Sequence, residues 1–314
     1  MHSLSLLSAI ALVSSVQSTI SVYAFFLENN SIDRSDDMSA QTFRGHSDSI
    51  FALAVGDQSI FSGSKDNSIK QWDPITGNAI QTLEGHKDSV TSLIYKGKHL
   101  YSGSLDSTLR VWNTDDQSLV SQFSASSSIL AIAAGQESLF CASQDKSFQW
   151  DIASKSIIKS FAGHSLSLTA VATSGHYLFT ASTDMTIKQW DIETEKLVQT
   201  FKGHTDAIFS LFATQTHVYS GSGDDSIKMW DIATGELVRT FSGHTGDVFA
   251  ITVVGNDLFS GSLDKTIIQW IIHTGEQVKT FTGHSGAIKA LAVLGKNLYS
   301  GSTDNTIKKW DILA

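Results

Sequence analysis

The chain has almost no cysteine and almost no proline: Cys141 and Pro74 are the only ones in 314 residues. A single cysteine excludes an intramolecular disulfide, so packing and hydrogen bonds must hold the fold. It says little about compartment, because a large core does not need the covalent support of small secreted domains. A single proline excludes a proline-rich linker. Basic blocks are missing too, and 22 Lys and Arg against 31 Asp and Glu give a net charge of −9. Phosphate backbones are bound by clustered positive charge, which makes nucleic acid an unfavourable partner.

What the chain does have is a repeat. Its seven tryptophans are Trp72, Trp112, Trp150, Trp190, Trp230, Trp270 and Trp310, all in one slot of a unit of about 40 residues. The last copy, residues 283–311, opens with Gly283-His284, carries Ser300 and Asp304, and ends with Trp310-Asp311. One copy contains four β-rich runs, Ala207–Phe212, His217–Ser222, Ser226–Asp231 and Glu236–Phe241. Gly223-Asp224-Asp225 and Thr234-Gly235 supply turn chemistry between them. So divided, the unit has no room for a crossover helix, and an antiparallel meander is predicted. The repeats also run out of phase. Fourth strands fall near Phe43, Leu83, Phe123, Phe161, Phe201, Phe241 and Phe281. The first of these has no Trp strand before it, and the last Trp strand, 306–313, has no partner after it. Residues 39–44 are therefore predicted to pair with the Trp310 strand and close a ring.

On the Gly-His, Ser-Gly-Ser-x-Asp and Trp-Asp spacing, the chain resembles the WD40-repeat family over residues 39–314. The resemblance implies an all-β, seven-bladed propeller of four-stranded antiparallel blades. It also implies hydrogen-bonded sets in which the Trp N–H meets a Ser or Thr hydroxyl, the hydroxyl meets His, and His meets the turn Asp. Those sets are His46/Ser62/Asp66/Trp72, His86/Ser102/Asp106/Trp112, His164/Thr180/Asp184/Trp190, His204/Ser220/Asp224/Trp230, His244/Ser260/Asp264/Trp270 and His284/Ser300/Asp304/Trp310. Such residues also make hydrolase triads, but a catalytic site copied in nearly every repeat is not credible. The sets read as scaffold, with no catalytic residue, cofactor or metal expected. His2, His99, His176, His217 and His273 show no metal-ligand spacing.

The third unit departs from the rest. Ser124-Ala125-Ser126-Ser127 stands where Gly-His belongs, Cys141 takes the Ser slot, and Asp145 lies one residue too close to Trp150. Its network is incomplete, so this blade is expected to be the least stable. Cys141 reads as a small buried hydrophobe. A smaller departure is Ile271 in place of the Asp after Trp270.

The resemblance further implies that partners meet the narrow face. That face would be rimmed by first-strand residues including Phe51, Leu130, Phe209, Phe249 and Lys289, and by Lys65, Leu105 and Leu263 before the turn Asp. The Phe and Leu residues among them are expected to form an exposed apolar patch, anchored by Phe209 and Phe249. The functional expectation is a non-enzymatic scaffold for protein or peptide partners, with the propeller itself a monomer. The alternative is a substrate-recognition subunit of a ubiquitin ligase. A cullin-adaptor motif would place Arg two residues after the Asp of Trp-Asp, and those positions hold Ile75, Ala153, Glu193 and Ala233.

Residues 1–27 are apolar and uncharged from Ser3 to Leu27, like a signal peptide or a membrane anchor. A polar linker over 28–38 follows, with an Asn29-Asn30-Ser31 sequon. A secretory or membrane-tethered location is expected if that segment acts as a signal or anchor, and a cytoplasmic one if translation starts at Met38.

Overall fold

The computed structural model describes residues 40–135, 137–144 and 146–312. The signal-like segment, the polar linker and Asp145 lie outside the described residues. Those described form 28 strands in seven four-stranded sheets. Strands β2 to β25 make six meanders in chain order, numbered here blades 1 to 6. Blade 7 is assembled from both ends of the propeller. It runs β1 (Gln41–Arg44), β28 (Thr306–Asp311), β27 (Asn297–Ser302) and β26 (Ile288–Leu294) across the sheet. The pairing is antiparallel, with Gln41 opposite Lys309 and Arg44 opposite Thr306. The expected strands of the copy around Trp230 appear as Ile208–Ala213, His217–Ser222, Ser226–Asp231 and Leu237–Ser242, within one residue of the sequence reading.

Second strands are buried on both faces because each is sandwiched between neighbouring blades. From Val218 to Ser222 every side chain is buried. Gly221 sits where a Cβ would stand 2.7 Å from Val248 Cγ1 of the next blade, so only hydrogen fits at that approach. Each fourth strand contributes an aromatic or leucine that covers the tryptophan of the following blade. Phe201 lies 5.9 Å from Trp230, Phe241 5.8 Å from Trp270, and Phe281 5.6 Å from Trp310 (ring centroids). Phe43 of β1 does the same for Trp72 at 6.0 Å, so the strand that closes the ring also completes the core between blades 7 and 1.

Where an Asp follows the Trp, it shapes the turn between third and fourth strands. Asp231 Oδ1 accepts from the N–H groups of Ala233 (2.9 Å) and Thr234 (2.8 Å), and its carbonyl accepts from Gly235 N–H (2.9 Å). Asn113 does part of this in blade 2, accepting from Asp115 N–H at 2.9 Å.

Candidate functional site

Two sets of residues compete for a functional role: the repeated polar networks and the rim of the face where the Gly-His loops and Asp turns meet. The networks are assembled in six blades. In each, the Trp Nε1 donates to the Ser or Thr hydroxyl, the hydroxyl lies against His Nε2, and His Nδ1 lies against the Asp carboxylate. All of these distances fall between 2.7 and 2.9 Å. A neutral imidazole with its proton on Nδ1 satisfies every member, since the hydroxyl can then donate to Nε2. Burial keeps the imidazole neutral, lowering the pKa of His86, His164 and His204 against the pull of their Asp partners. The carboxylates are lowered too, but against burial instead of because of it. Burial alone would raise Asp106, but hydrogen bonds from Thr108, the Lys87 N–H and His86 outweigh it and hold the group down at about 2.

The central hydroxyl residues, Ser62, Ser102, Thr180, Ser220, Ser260 and Ser300, are completely buried at 0% exposure. At that burial no substrate, ligand or partner can touch them, and the same holds for Trp72 of the first set, also at 0%. Each is held instead between two side chains of its own blade. Ser62 Oγ accepts from Trp72 at 2.7 Å and meets His46 at 2.7 Å, and Ser102 Oγ accepts from Trp112 at 2.9 Å and meets His86 at 2.7 Å. Ser260 Oγ accepts from Trp270 at 2.8 Å and meets His244 at 2.8 Å. Thr180 departs slightly from the serines. Its Oγ1 lies 2.9 Å from both Trp190 Nε1 and His164 Nε2, and the same His nitrogen also stands 3.2 Å from the Thr180 carbonyl. Threonine fits the slot because its extra methyl is buried in the core while the hydroxyl keeps both contacts.

A fifth member is also present. Ser68, Thr108, Thr186, Ser226, Thr266 and Thr306 each donate to the second carboxylate oxygen at 2.6 to 2.7 Å. Sequence reasoning passed over it, although a hydroxyl residue two places after the Asp was its signal. With every polar atom consumed internally, these sets offer no free nucleophile or base. They are joints between loop and strand.

Blade 3, β10 (Ile129–Ala134), β11 (Ser138–Ser143), β12 (Ser147–Asp151) and β13 (Ser156–Phe161), replaces the network with hydrocarbon. Cys141 is fully buried, and Phe148 takes the slot held by Lys or Arg in five blades and by Ile268 in blade 6, packing with Cys141, Trp150 and Ala125. The shortened turn leaves Ser147 in the core slot filled elsewhere by Ile or Leu. Trp150 Nε1, Ser147 Oγ and Gln149 Oε1 are buried with no hydrogen-bond partner among the described residues. Each such group costs about 1–3 kcal/mol. Burial pushes the Cys141 thiol pKa up, away from thiolate chemistry. Native-state hydrogen exchange should find the amides of 129–161 the least protected of any blade; equal protection across the seven would refute this.

The rim is less uniform than its sequence pattern. Phe51, Leu105, Leu130, Phe209 and Phe249 are all half-buried, and of the predicted apolar rim only Leu263 is strongly exposed, at 49%. Lys65 is exposed and pairs with Asp48 at 3.6 Å. Where the first-strand residue is Thr, it is used structurally. Thr91 Oγ1 donates to the Ile129 carbonyl of the next blade at 2.6 Å, and Thr169 bonds the Ile208 carbonyl in the same way. Phe209 and Phe249 have no hydroxyl to donate, and they and Lys289 turn toward one another instead. The Phe209 and Phe249 rings lie 5.1 Å apart, and Lys289 Nζ stands 2.9 Å from the centre of the Phe249 ring. Desolvation there lowers the Lys289 pKa to about 8, with Asp247 opposing. This aromatic and cationic run spans blades 5, 6 and 7. Two exposed apolar residues were missed, Leu166 at 57% and Met185 at 43%, both in blade 4. Their signal was a break in slot chemistry, since Asp48, Asp88 and Asp206 match Leu166, and Asn67, Ser107 and Asn305 match Met185.

Among the described residues, no group of three or more His, Cys, Asp or Glu is arranged to hold a metal ion. The family model described as "WD domain, G-beta repeat" matches residues 38–73, 77–113, 155–191, 195–231, 235–270 and 275–311. The unmatched stretch, 114–154, contains most of blade 3, where the repeat has lost its polar signature. No curated protein matches the chain. Among solved structures, the crystal structure of the WD40 beta propeller domain of Doa1 is similar, with a TM-score of 0.80 at 21% identity. The match covers 87% of this chain and 97% of that one. At that identity the likeness speaks to fold alone. WD40 propellers are generally protein-interaction domains without catalytic activity. Six matched repeats and seven closed blades together place the chain in the WD40 (G-beta repeat) family.

Proposed function

We propose that the propeller is a non-enzymatic scaffold that binds protein or peptide partners on its Gly-His face. The observation that carries this reading is the Phe209–Phe249–Lys289 run. Two aromatic rings and a partly desolvated ammonium lie together where blades 2 and 4 spend the same position on internal hydrogen bonds. Large rings beside a charged group are the composition of binding hot spots. The repeated polar sets support the same reading by being internally satisfied, which leaves them to hold the rim rigid.

Proximity labelling of the wild-type chain defines its partner set. Replacing Phe209 and Phe249 together by Ser is expected to remove most of that set. Lys289→Glu, a change without an aromatic cavity, is expected to weaken the same partners. Retention of every partner by both variants, with the fold intact by circular dichroism, would place the binding surface elsewhere.

A further inference from the structure

The neighbouring sector of the same face, across blades 4 to 6, has a character of its own. In blade 1, Asp48 has Lys65 as its counter-ion. In blade 5 the matching pair is Asp206 and Gly223, so the cation is gone. The φ of Gly223 is not positive, and no backbone need explains the glycine. Its missing Cβ is accounted for by closeness instead: a Cβ would stand 3.2 Å from Asp206 Cγ and 3.3 Å from the Phe209 ring. The absent side chain leaves a notch with a carboxylate and an aromatic edge against it. Farther round, Asp225 of blade 5 feels Asp247 of blade 6. Partial burial and then that carboxylate raise the Asp225 pKa above the usual range. Among the described residues, no Lys or Arg lies within ion-pair distance of Asp206, Asp225 or Asp247, and Lys289 feels the Asp247 charge only from beyond that distance.

An apolar shoulder borders this acidic stretch on each side. On the blade 6 side it is Leu263, whose N–H bonds the Asp247 carbonyl at 2.8 Å. On the blade 4 side it is Leu166 and Met185. The repeat fixes where Met185 points along the ring. In blade 7 the residue in that slot, Asn305, donates to the Ser47 carbonyl of blade 1 at 3.3 Å. In blade 2 the Ser107 carbonyl accepts from Ala125 N–H of the loop entering blade 3 at 2.8 Å. By that correspondence the slot of Met185 lies on the blade 5 side of blade 4, toward the loop that holds Thr205.

We infer that Leu166, Met185, Asp206, Asp225, Asp247 and Leu263 form a docking track for a partner segment carrying Lys or Arg residues next to an aliphatic side chain. This rests on the Gly-His face being the binding face and adds the chemistry of what binds there. Charge complementarity selects the occupant. Three carboxylates without direct counter-ions repel an acidic segment and are relieved by a basic one, while exposed aliphatic groups on either side gain from burial. A track with both elements favours a mixed segment over a purely cationic one.

The test is calorimetric titration of the purified full chain with a short synthetic peptide that joins a leucine pair to an arginine–lysine run. A second peptide replaces each basic residue by Glu, and a third replaces the leucines by Ser. The first should bind, the second should not, and the third should bind more weakly. D225N/D247N should weaken the first peptide about tenfold, the scale of two partly exposed charge pairs, and the loss should shrink as salt is raised. L166S/M185S should weaken the first peptide but leave the third unchanged. All four positions are partly or largely exposed, so these variants keep the core intact. Equal binding of the basic and acidic peptides, or no response to D225N/D247N, overturns the inference. So does self-association of the chain that D225N/D247N abolishes, because the occupant would then be a second copy. If the basic peptide fails while the Phe209/Phe249 double variant still loses its labelled partners, the partner chemistry is wrong and the binding face stands. If neither responds, both are wrong.

Discussion

Phe43→Ala is expected to destabilise the propeller by about 3–5 kcal/mol, the cost of emptying a fully buried aromatic site. In a domain of this size that lowers the midpoint by roughly 10 °C or more. Phe43 lies between the Trp72 and Tyr299 rings, 6.0 Å from each, and belongs to the cluster that joins blade 1 to blade 7. Removing residues 40–44 altogether should cost more. It strips β28 of its outer partner and leaves the Trp310 strand as an open edge, which invites association between copies. It also removes ties across the seam. Gln41 Nε2 donates to the Ile75 carbonyl at 3.1 Å, and Lys308 Nζ donates to Thr42 Oγ1 at 2.9 Å. Thr42→Ala deletes only that last bond at a partly exposed site and should shift the midpoint by no more than a degree or two. Differential scanning calorimetry with sedimentation velocity reads both quantities. A chain without residues 40–44 that melts unchanged and stays monomeric would show that the ring is not closed through β1.

Ser220→Ala carries the second large effect. One buried hydroxyl serves two groups in blade 5, accepting from Trp230 Nε1 at 2.9 Å and lying 2.7 Å from His204 Nε2. Alanine leaves both without a partner, at about 1–3 kcal/mol each. The same reasoning applies to Ser62, Ser102 and Ser260, which are buried to the same degree and hold the same two groups. Cys141→Ala is the control, made at the same slot of blade 3. Nothing there depends on the sulfur for hydrogen bonding, so the loss should be about 1 kcal/mol, that of a small cavity. Chemical denaturation of the two variants side by side measures the difference. Equal losses would mean that the polar sets contribute by volume alone.

The contrast between those two slots also marks how far the sequence could be read. Ring closure was legible because an unpaired strand at each end leaves no other arithmetic, and Phe43 falls in the slot of Phe201 and Phe241. The tetrads were legible because one repeated slot constrains the others. The interior of blade 3 was not. A one-residue deletion in its turn lets Asp145 be aligned from one side and Trp150 from the other, and only the strand pairing shows Ser147 in a core position. The rim was legible as a set of positions and not as a surface. Whether a first-strand residue points outward or ties two blades together depends on whether it carries a hydroxyl within reach of the next backbone, as Thr91 does. Leu166 and Met185 were hidden for another reason. Attention to what the repeats share passes over what one repeat alone has.

The antiparallel register of the seam has a mechanical consequence. Gln41 lies opposite Lys309, so the chain enters β1 at the same end of the pair from which it leaves β28. Tension applied through the two chain ends therefore peels this pair open one rung at a time, instead of loading all its rungs together in shear. Under such a pull the disk is weakest where its perimeter was joined, and it would uncoil from that joint into a string of otherwise intact sheets.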